Sequence, residues 1–151
     1  MKNYTWERNG YTVTTDLSRV DVEKVIRLPL EHDWPVRNRP LHLTRKALHH
    51  SLPFLCLHGQ EPIGFLRLVT DYATFAYVTD VNIAKAHQGK GLARFLLDCV
   101  FEHPEVCHLR RFMLVTDAAH GLYSQVGFTS GVCMERLLPY ETCYCMEPSD
   151  S

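Results

Sequence analysis

Apolar and polar residues alternate over Tyr11-Thr12-Val13-Thr14-Thr15, a stretch rich in β-branched side chains, and this predicts a strand. Val20, Val22, Val25, Ile26 and Leu28 then recur at helical spacing, with Asp16 or Ser18 as the expected cap. Pro29, Pro35 and Pro40 interrupt the next stretch, so Glu31 to Pro40 reads as irregular. Thr44 is the expected cap of a short helix reaching Ser51. Beyond it the period changes. Pro53 to His58 is an apolar run, Gly59-Gln60-Glu61 a tight connection, and Ile63 to Thr70 a second run. Asp71-Tyr72 turns the chain, and Thr74 to Ile83 is a third run. Two such close connections predict an antiparallel meander.

From Gly89 to Glu102, Leu92, Phe95, Leu96, Cys99 and Val100 fall three and four apart, giving a helix one apolar face. Arg111 to Thr116 is a strand after that helix, and strands joined through a helix are normally parallel. Asp117 to Gln125 is a short helix that Gly127 ends. Phe128 to Leu138 and Tyr140 to Met146 are expected as closing strands. The predicted class is α/β: a mixed, mostly antiparallel central sheet with helices on both faces, in a single domain over residues 1–151.

Composition narrows the function. A chain of 151 residues with 46% apolar content can bury a real core. Sixteen basic residues against 17 acidic ones give a net charge of −1, which argues against a nucleic-acid partner. The locally basic Arg37, Arg39, Arg45 and Lys46 read as a surface or substrate-loop feature. No run reaches the roughly 18 apolar residues of a membrane span, so no membrane partner is expected. Met1 to Arg8 has no apolar signal-peptide core. A cytoplasmic location is therefore expected, where thiols stay reduced. The six cysteines, Cys56, Cys99, Cys107, Cys133, Cys143 and Cys145, contain no C-x-x-C pair. The nine histidines, His49-His50, His103 and His108 among them, show no zinc-ligand spacing. Six free thiols and no metal are expected.

Candidate chemistry begins at Gly89 and Gly91. Glycines opening a helix let backbone N–H groups approach an anion. The helix N-terminus adds partial positive charge, and Lys90 adds a full one. A dinucleotide fingerprint fails because Arg94 stands where a glycine or alanine is required. A P-loop fails because Gly91 follows Lys90.

The wider string resembles a known family. Asp80-Val81-Asn82-Ile83, four residues and then Gln88-Gly89-Lys90-Gly91-Leu92-Ala93 resemble the strand and loop of the GNAT superfamily of N-acetyltransferases. That loop is Gln or Arg, two residues, Gly, one residue, Gly or Ala. Leu114 to Phe128 is similar to the family's strand, short helix and Tyr-x-x-x-Gly-Phe turn, here Tyr123 to Phe128. Two positions depart from the pattern: Thr116 stands where many members carry Asn, and Gln88 replaces the commoner Arg. The cradle is mainly backbone, so binding is expected to survive both.

The resemblance implies a GNAT-like fold and acetyl transfer from acetyl-CoA, as co-substrate, to an amine, expected to be a small molecule. It assigns the cofactor to Val81, Asn82, Ile83, Gln88, Gly89, Lys90, Gly91, Leu92, Ala93 and Thr116, with backbone groups of Val81 and Ile83 along the acyl arm. The thioester oxygen gains negative charge and the leaving sulfur needs a proton. Tyr123 takes the place of the family's tyrosine near the sulfur, and a phenol of pKa about 10 is protonated at neutral pH. Asp80 or His120 is the candidate base, or a water chain. Asp80's direction depends on whether its strand is regular or bulged. His120 lies one helical turn before Tyr123. The acceptor pocket is expected from Glu31 to Pro40 and the turn at Asp71 to Phe75. Asp33, Trp34, Asp71 and Phe75 are the substrate candidates, with Glu31, His32 and Tyr72 beside them; carboxylates beside aromatic rings suit a small cationic amine. A homodimer is an allowed assembly. Two other readings share these residues. A protein or peptide amine as acceptor would need a long open groove. A non-catalytic acyl-CoA-binding module would bind CoA and turn over no amine.

Overall fold

The computed structural model describes residues 1–32 and 39–139. Its six strands lie side by side in chain order: β1 (Thr5–Arg8), β2 (Tyr11–Thr14), β3 (Leu52–His58), β4 (Glu61–Thr70), β5 (Phe75–Ile83) and β6 (Arg111–Met113). Pairing is antiparallel from β1 to β5 and parallel between β5 and β6. Asn9 and Gly10 join β1 to β2 with φ of 51° and 83°, the left-handed pair that a two-residue hairpin demands. That N-terminal strand is additional to the predicted elements.

The helices are α1 (Val22–Arg27), α2 (Leu41–His49), α3 (Leu92–Glu102) and α4 (His120–Gln125). Asp21 caps α1 by accepting the Glu23 N–H at 3.0 Å. Asp16, one of the expected caps, instead caps the preceding 3-10 turn, Leu17–Arg19. The expected Thr44 cap is also corrected. Pro40 is the N-cap of α2, and Thr44 is buried within that helix, accepting from Arg39 Nε at 3.0 Å.

The central strands are covered on both faces. Leu52, Phe54 and Cys56 of β3 and Leu66 and Leu68 of β4 join the cluster that includes Phe95, Leu96 and Val100 of α3. Leu55 and Phe65, one residue out of phase, meet Val25, Ile26 and Leu48 from α1 and α2. Side chains alternate across a strand, so a strand buried on both faces reads as one continuous apolar run.

Two departures occur near the C-terminal end. β6 stops at Met113, short of Thr116, and residues 128–139 form no strand. A three-residue β6 offers a neighbouring strand little edge to pair with, and Val132 and Met134 stand fully exposed. The expected strand at Tyr140 to Met146, with Cys143 and Cys145, lies outside the described residues.

Candidate active site

β5 is longer than its parallel neighbour. Its pairing with β6 ends at Tyr77 and Met113, so from Val78 to Ile83 it is hydrogen-bonded only to β4 among the described residues. A bulge falls in this stretch. Arg67 faces Thr79 but Phe65 faces Asn82, so two steps on β4 span three on β5. The extra residue lies at Asp80–Val81, where Asp80 has φ of 58°. Asn82 braces it, its Nδ2 donating to the Asp80 carbonyl at 2.7 Å and, more weakly, to the Phe65 carbonyl at 3.4 Å. Gly64 is needed opposite, because a Cβ there would lie 2.6 Å from the Asn82 carbonyl oxygen.

Past the bulge, the Ala84 N–H donates to the Ile63 carbonyl at 2.7 Å, toward β4. Strand alternation therefore turns the N–H group of Ile83 to the free edge. The Ile83 carbonyl also faces away from β4, where it accepts from Gln88 Nε2 at 3.0 Å. The Gln88 side chain thus ties the loop to the end of β5.

Gly89 and Gly91 have φ of 76° and 75°, and Gly91 is the N-cap of α3. The first helical bond runs from the Phe95 N–H to the Gly91 carbonyl, so the N–H groups of Leu92, Ala93 and Arg94 have no helical acceptor. A Cβ added at either glycine would meet nothing within 4 Å, so the cradle opens to solvent. Its donors and its space fit a pyrophosphate.

The loop, the end of β5 and α4 enclose a cleft of about 470 Å³. Val81, Asn82, Ile83, Gln88, Gly89, Gly91, Leu92, Ala93 and Tyr123 all line it. Lys90 is exposed beside the loop. Tyr123 packs edge-on against Phe128, ring centroids 5.9 Å apart, and burial pushes its phenol above the usual range. Gly127, with φ of 96°, closes α4 and lets the Phe128 N–H return to the Tyr123 carbonyl.

Other expected residues take different places. Thr116 does not line the cleft; its Oγ1 accepts the Ala119 N–H at 3.1 Å and so shapes the entry to α4. His120 opens α4 exposed and is not part of the cleft wall. Asp80 is locked in an ion network, with Arg39 Nη2 and Arg67 Nε each donating to its Oδ2 at 2.6 Å. Its side chain is 3% exposed. Burial alone would raise its carboxyl, but the two guanidinium groups outweigh that and hold it below the usual range. Such a carboxylate is a poor proton acceptor.

Asp71 and Phe75 sit at the far end of β5, and at a strand's rise the six steps from Phe75 to Val81 span about 20 Å. Asp71 spends its oxygens on its own turn, accepting from the N–H groups of Ala73 and Thr74 and the Thr74 hydroxyl. The Thr74 hydroxyl is the main reason its carboxyl falls well below the usual range. Neither residue lines the cleft. Asp33 and Trp34 lie outside the described residues. The sequence reading missed His87, Arg94, Leu122 and Gln125 in the wall and gave His32 only a minor place. Arg94 had a signal, since it follows the glycine loop by one helical turn. Among the described residues no group of three or more side chains could hold a metal, and no helix is long and apolar enough to cross a membrane.

The acetyltransferase (GNAT) family model matches residues 19–128, and the chain belongs to that family. A Gibberella zeae protein assigned as an acetyltransferase is 32% identical, over 76% of this chain and 76% of its own. A GNAT-family crystal structure from Xanthomonas campestris pv. campestris is 40% identical, with a TM-score of 0.78 over 85% of this chain and 94% of its own. A Clostridium acetobutylicum protein, assigned as an acetyltransferase and solved with acetyl-CoA, shares the fold at 18% identity, with a TM-score of 0.60 over 85% of this chain and 94% of its own.

Proposed function

We propose that this acetyltransferase-family chain uses acetyl-CoA to acetylate a small-molecule amine. The free edge of β5 beside the glycine loop is the observation that carries the reading. Acetyl-CoA supplies an acetyl group activated as a thioester. Amides from Gly89 to Ala93 would hold its pyrophosphate, with Lys90 adding positive charge. Backbone groups of Val81 and Ile83 would bond its pantetheine arm as an added strand does. An N–H among them, set at the carbonyl oxygen, would stabilise the charge that develops there. Tyr123, kept protonated by burial, would supply the proton the sulfur needs.

The test is a turnover screen with acetyl-CoA against amino acids, polyamines, aminoglycosides, arylalkylamines and peptides, read by free-thiol release. Acceptor-dependent release with at least one small amine is expected. Release with peptides alone would move the acceptor to a macromolecule. CoA binding with no acceptor-dependent release would make the chain a binding module.

A further inference from the structure

The acceptor amine must lose a proton, and the two side chains first expected to take it are elsewhere. Asp80 is spent on Arg39 and Arg67, and His120 is outside the cleft wall. Among the described residues, four ionisable side chains line the cleft: His32, His87, Arg94 and Tyr123. Arg94 is a permanent cation. Tyr123 is a proton donor at neutral pH. His87 Nδ1 is hydrogen-bonded to the Tyr11 hydroxyl at 2.9 Å, and its ring packs against His58 beside the phosphate loop.

His32 differs from these. Its Nε2 is buried and has no hydrogen-bond partner among the described residues. It follows the 3-10 turn Leu28–Glu31, its N–H donating to the Pro29 carbonyl at 3.0 Å. That turn packs on β5, and Glu31 fastens it there by accepting the Lys85 N–H at 2.9 Å. His32 is therefore carried by a fixed element over the strand that forms the cofactor edge. Asn82 lines the same cleft and leaves its Oδ1 buried and without a partner among the described residues, while its Nδ2 is committed to backbone carbonyls. A neutral imidazole nitrogen without hydrogen and an amide oxygen are both acceptors. Buried acceptors normally have partners, so two of them among the residues of one cleft call for a ligand that brings two N–H groups.

We propose that His32 and Asn82 form the acceptor subsite and that it takes a primary amine. Asn82 Oδ1 accepts one amine N–H; His32 Nε2 accepts the other and removes that proton. The amine's lone pair forms the bond to the acyl carbon as the carbon–sulfur bond breaks. The amine proton ends on His32 and the Tyr123 hydroxyl proton on the sulfur. Solvent then takes the proton from His32 and returns one to Tyr123. This inference rests on the acetyl-transfer reading and adds to it a base and a substrate class.

The test has two arms. In the first, imidazole resonances of the full chain with CoA bound are followed by NMR, with His32 assigned from His32→Gln. Methylamine should shift the His32 signal saturably. Tetramethylammonium, of the same charge but without N–H, should not. A His32 signal that ignores methylamine, or responds equally to both probes, overturns the subsite. In the second arm, His32→Gln should lose about 10²–10⁴-fold in kcat/KM toward the primary amines the parent accepts, with the acetyl-CoA KM nearly unchanged. Parental kcat/KM in that variant overturns the base. A parent that acetylates no amine sinks the acetyl-transfer reading itself, and the first arm still decides whether this pair binds an amine.

Discussion

Replacing Asp80 by Asn separates a structural carboxylate from a catalytic one. Asp80 is 3% exposed, and Arg39 and Arg67 are 13% and 12% exposed, so the network is almost dry. The substitution keeps shape and tolerates the left-handed backbone, since Asn adopts φ near 60° as readily as Asp. What it removes is the charge, leaving two buried guanidinium groups uncompensated. Breaking a buried pair from one side typically costs about 3–5 kcal/mol. The lower end applies here, because the amide oxygen can still accept from one arginine. For a chain of this size each kcal/mol moves Tm by about 2–4 °C, so a fall of about 6–12 °C is expected for a loss near 3 kcal/mol. The pH dependence has a definite sign. The folded carboxyl lies below its unfolded value of about 3.9, so its stabilisation is complete above that value and is lost as pH falls through the folded one. The gap between parent and variant should therefore be flat from about pH 5 to 8 and narrow below about pH 4. Urea unfolding across that range reads it. A variant within about 1 kcal/mol of the parent at pH 7, but with turnover down 10²–10⁴-fold, would refute the reasoning and return Asp80 to the chemistry.

Gly64→Ala would place a Cβ 2.6 Å from both the Asn82 carbonyl oxygen and Ile83 Cδ1. A cost of about 1–3 kcal/mol by thermal unfolding is expected, with weaker CoA binding because the edge of β5 must move. Tyr123→Phe should fold and bind CoA normally yet lose about 10²–10⁴ in maximal rate, less for acyl donors with better leaving groups. Pre-steady-state thiol release checks it where chemistry limits the rate. Burial pushes the thiols of Cys56 and Cys99 up to about 12, whereas Cys107 and Cys133 are exposed. Alkylation of folded protein at pH 8, mapped by mass spectrometry, should mark Cys107 and Cys133 quickly and the buried pair only after unfolding.

Some of this was legible in sequence because it is local. The α3 face, the β3–β4–β5 meander and the glycine loop are each set by periodicity or by residues within one turn of each other. The resemblance reached Tyr123, which lines the cleft. β1 escaped notice because Thr5 to Arg8 is too short and polar to alternate visibly, although Asn9-Gly10 after it is a strong hairpin signal. The fate of Asp80 could not be read locally. Its partner Arg67 comes from β4, and Arg39 is 41 residues away. Asp71 misled in the opposite way. A carboxylate beside aromatic rings looked like a cation site, but three residues on, Thr74 offers it a hydroxyl and an N–H. His32 stood in a proline-broken stretch with no period to point its side chain. Only the packing of the Leu28–Glu31 turn on β5 brings it to the cleft.

Binding of CoA to the parent and to Gly91→Glu, measured by calorimetry, tests the central claim most directly. Gly91 is the left-handed N-cap of α3, and its Cβ position opens to solvent, so the glutamate can fold at a cost of about 1–2 kcal/mol of backbone strain. It puts a negative charge at the helix N-terminus where the pyrophosphate is placed. The parent should bind one CoA per chain, and the folded variant should bind at least about tenfold more weakly, a loss of about 1.4 kcal/mol. Equal affinity in a variant with parental circular dichroism would contradict the placement of the cofactor in this cleft.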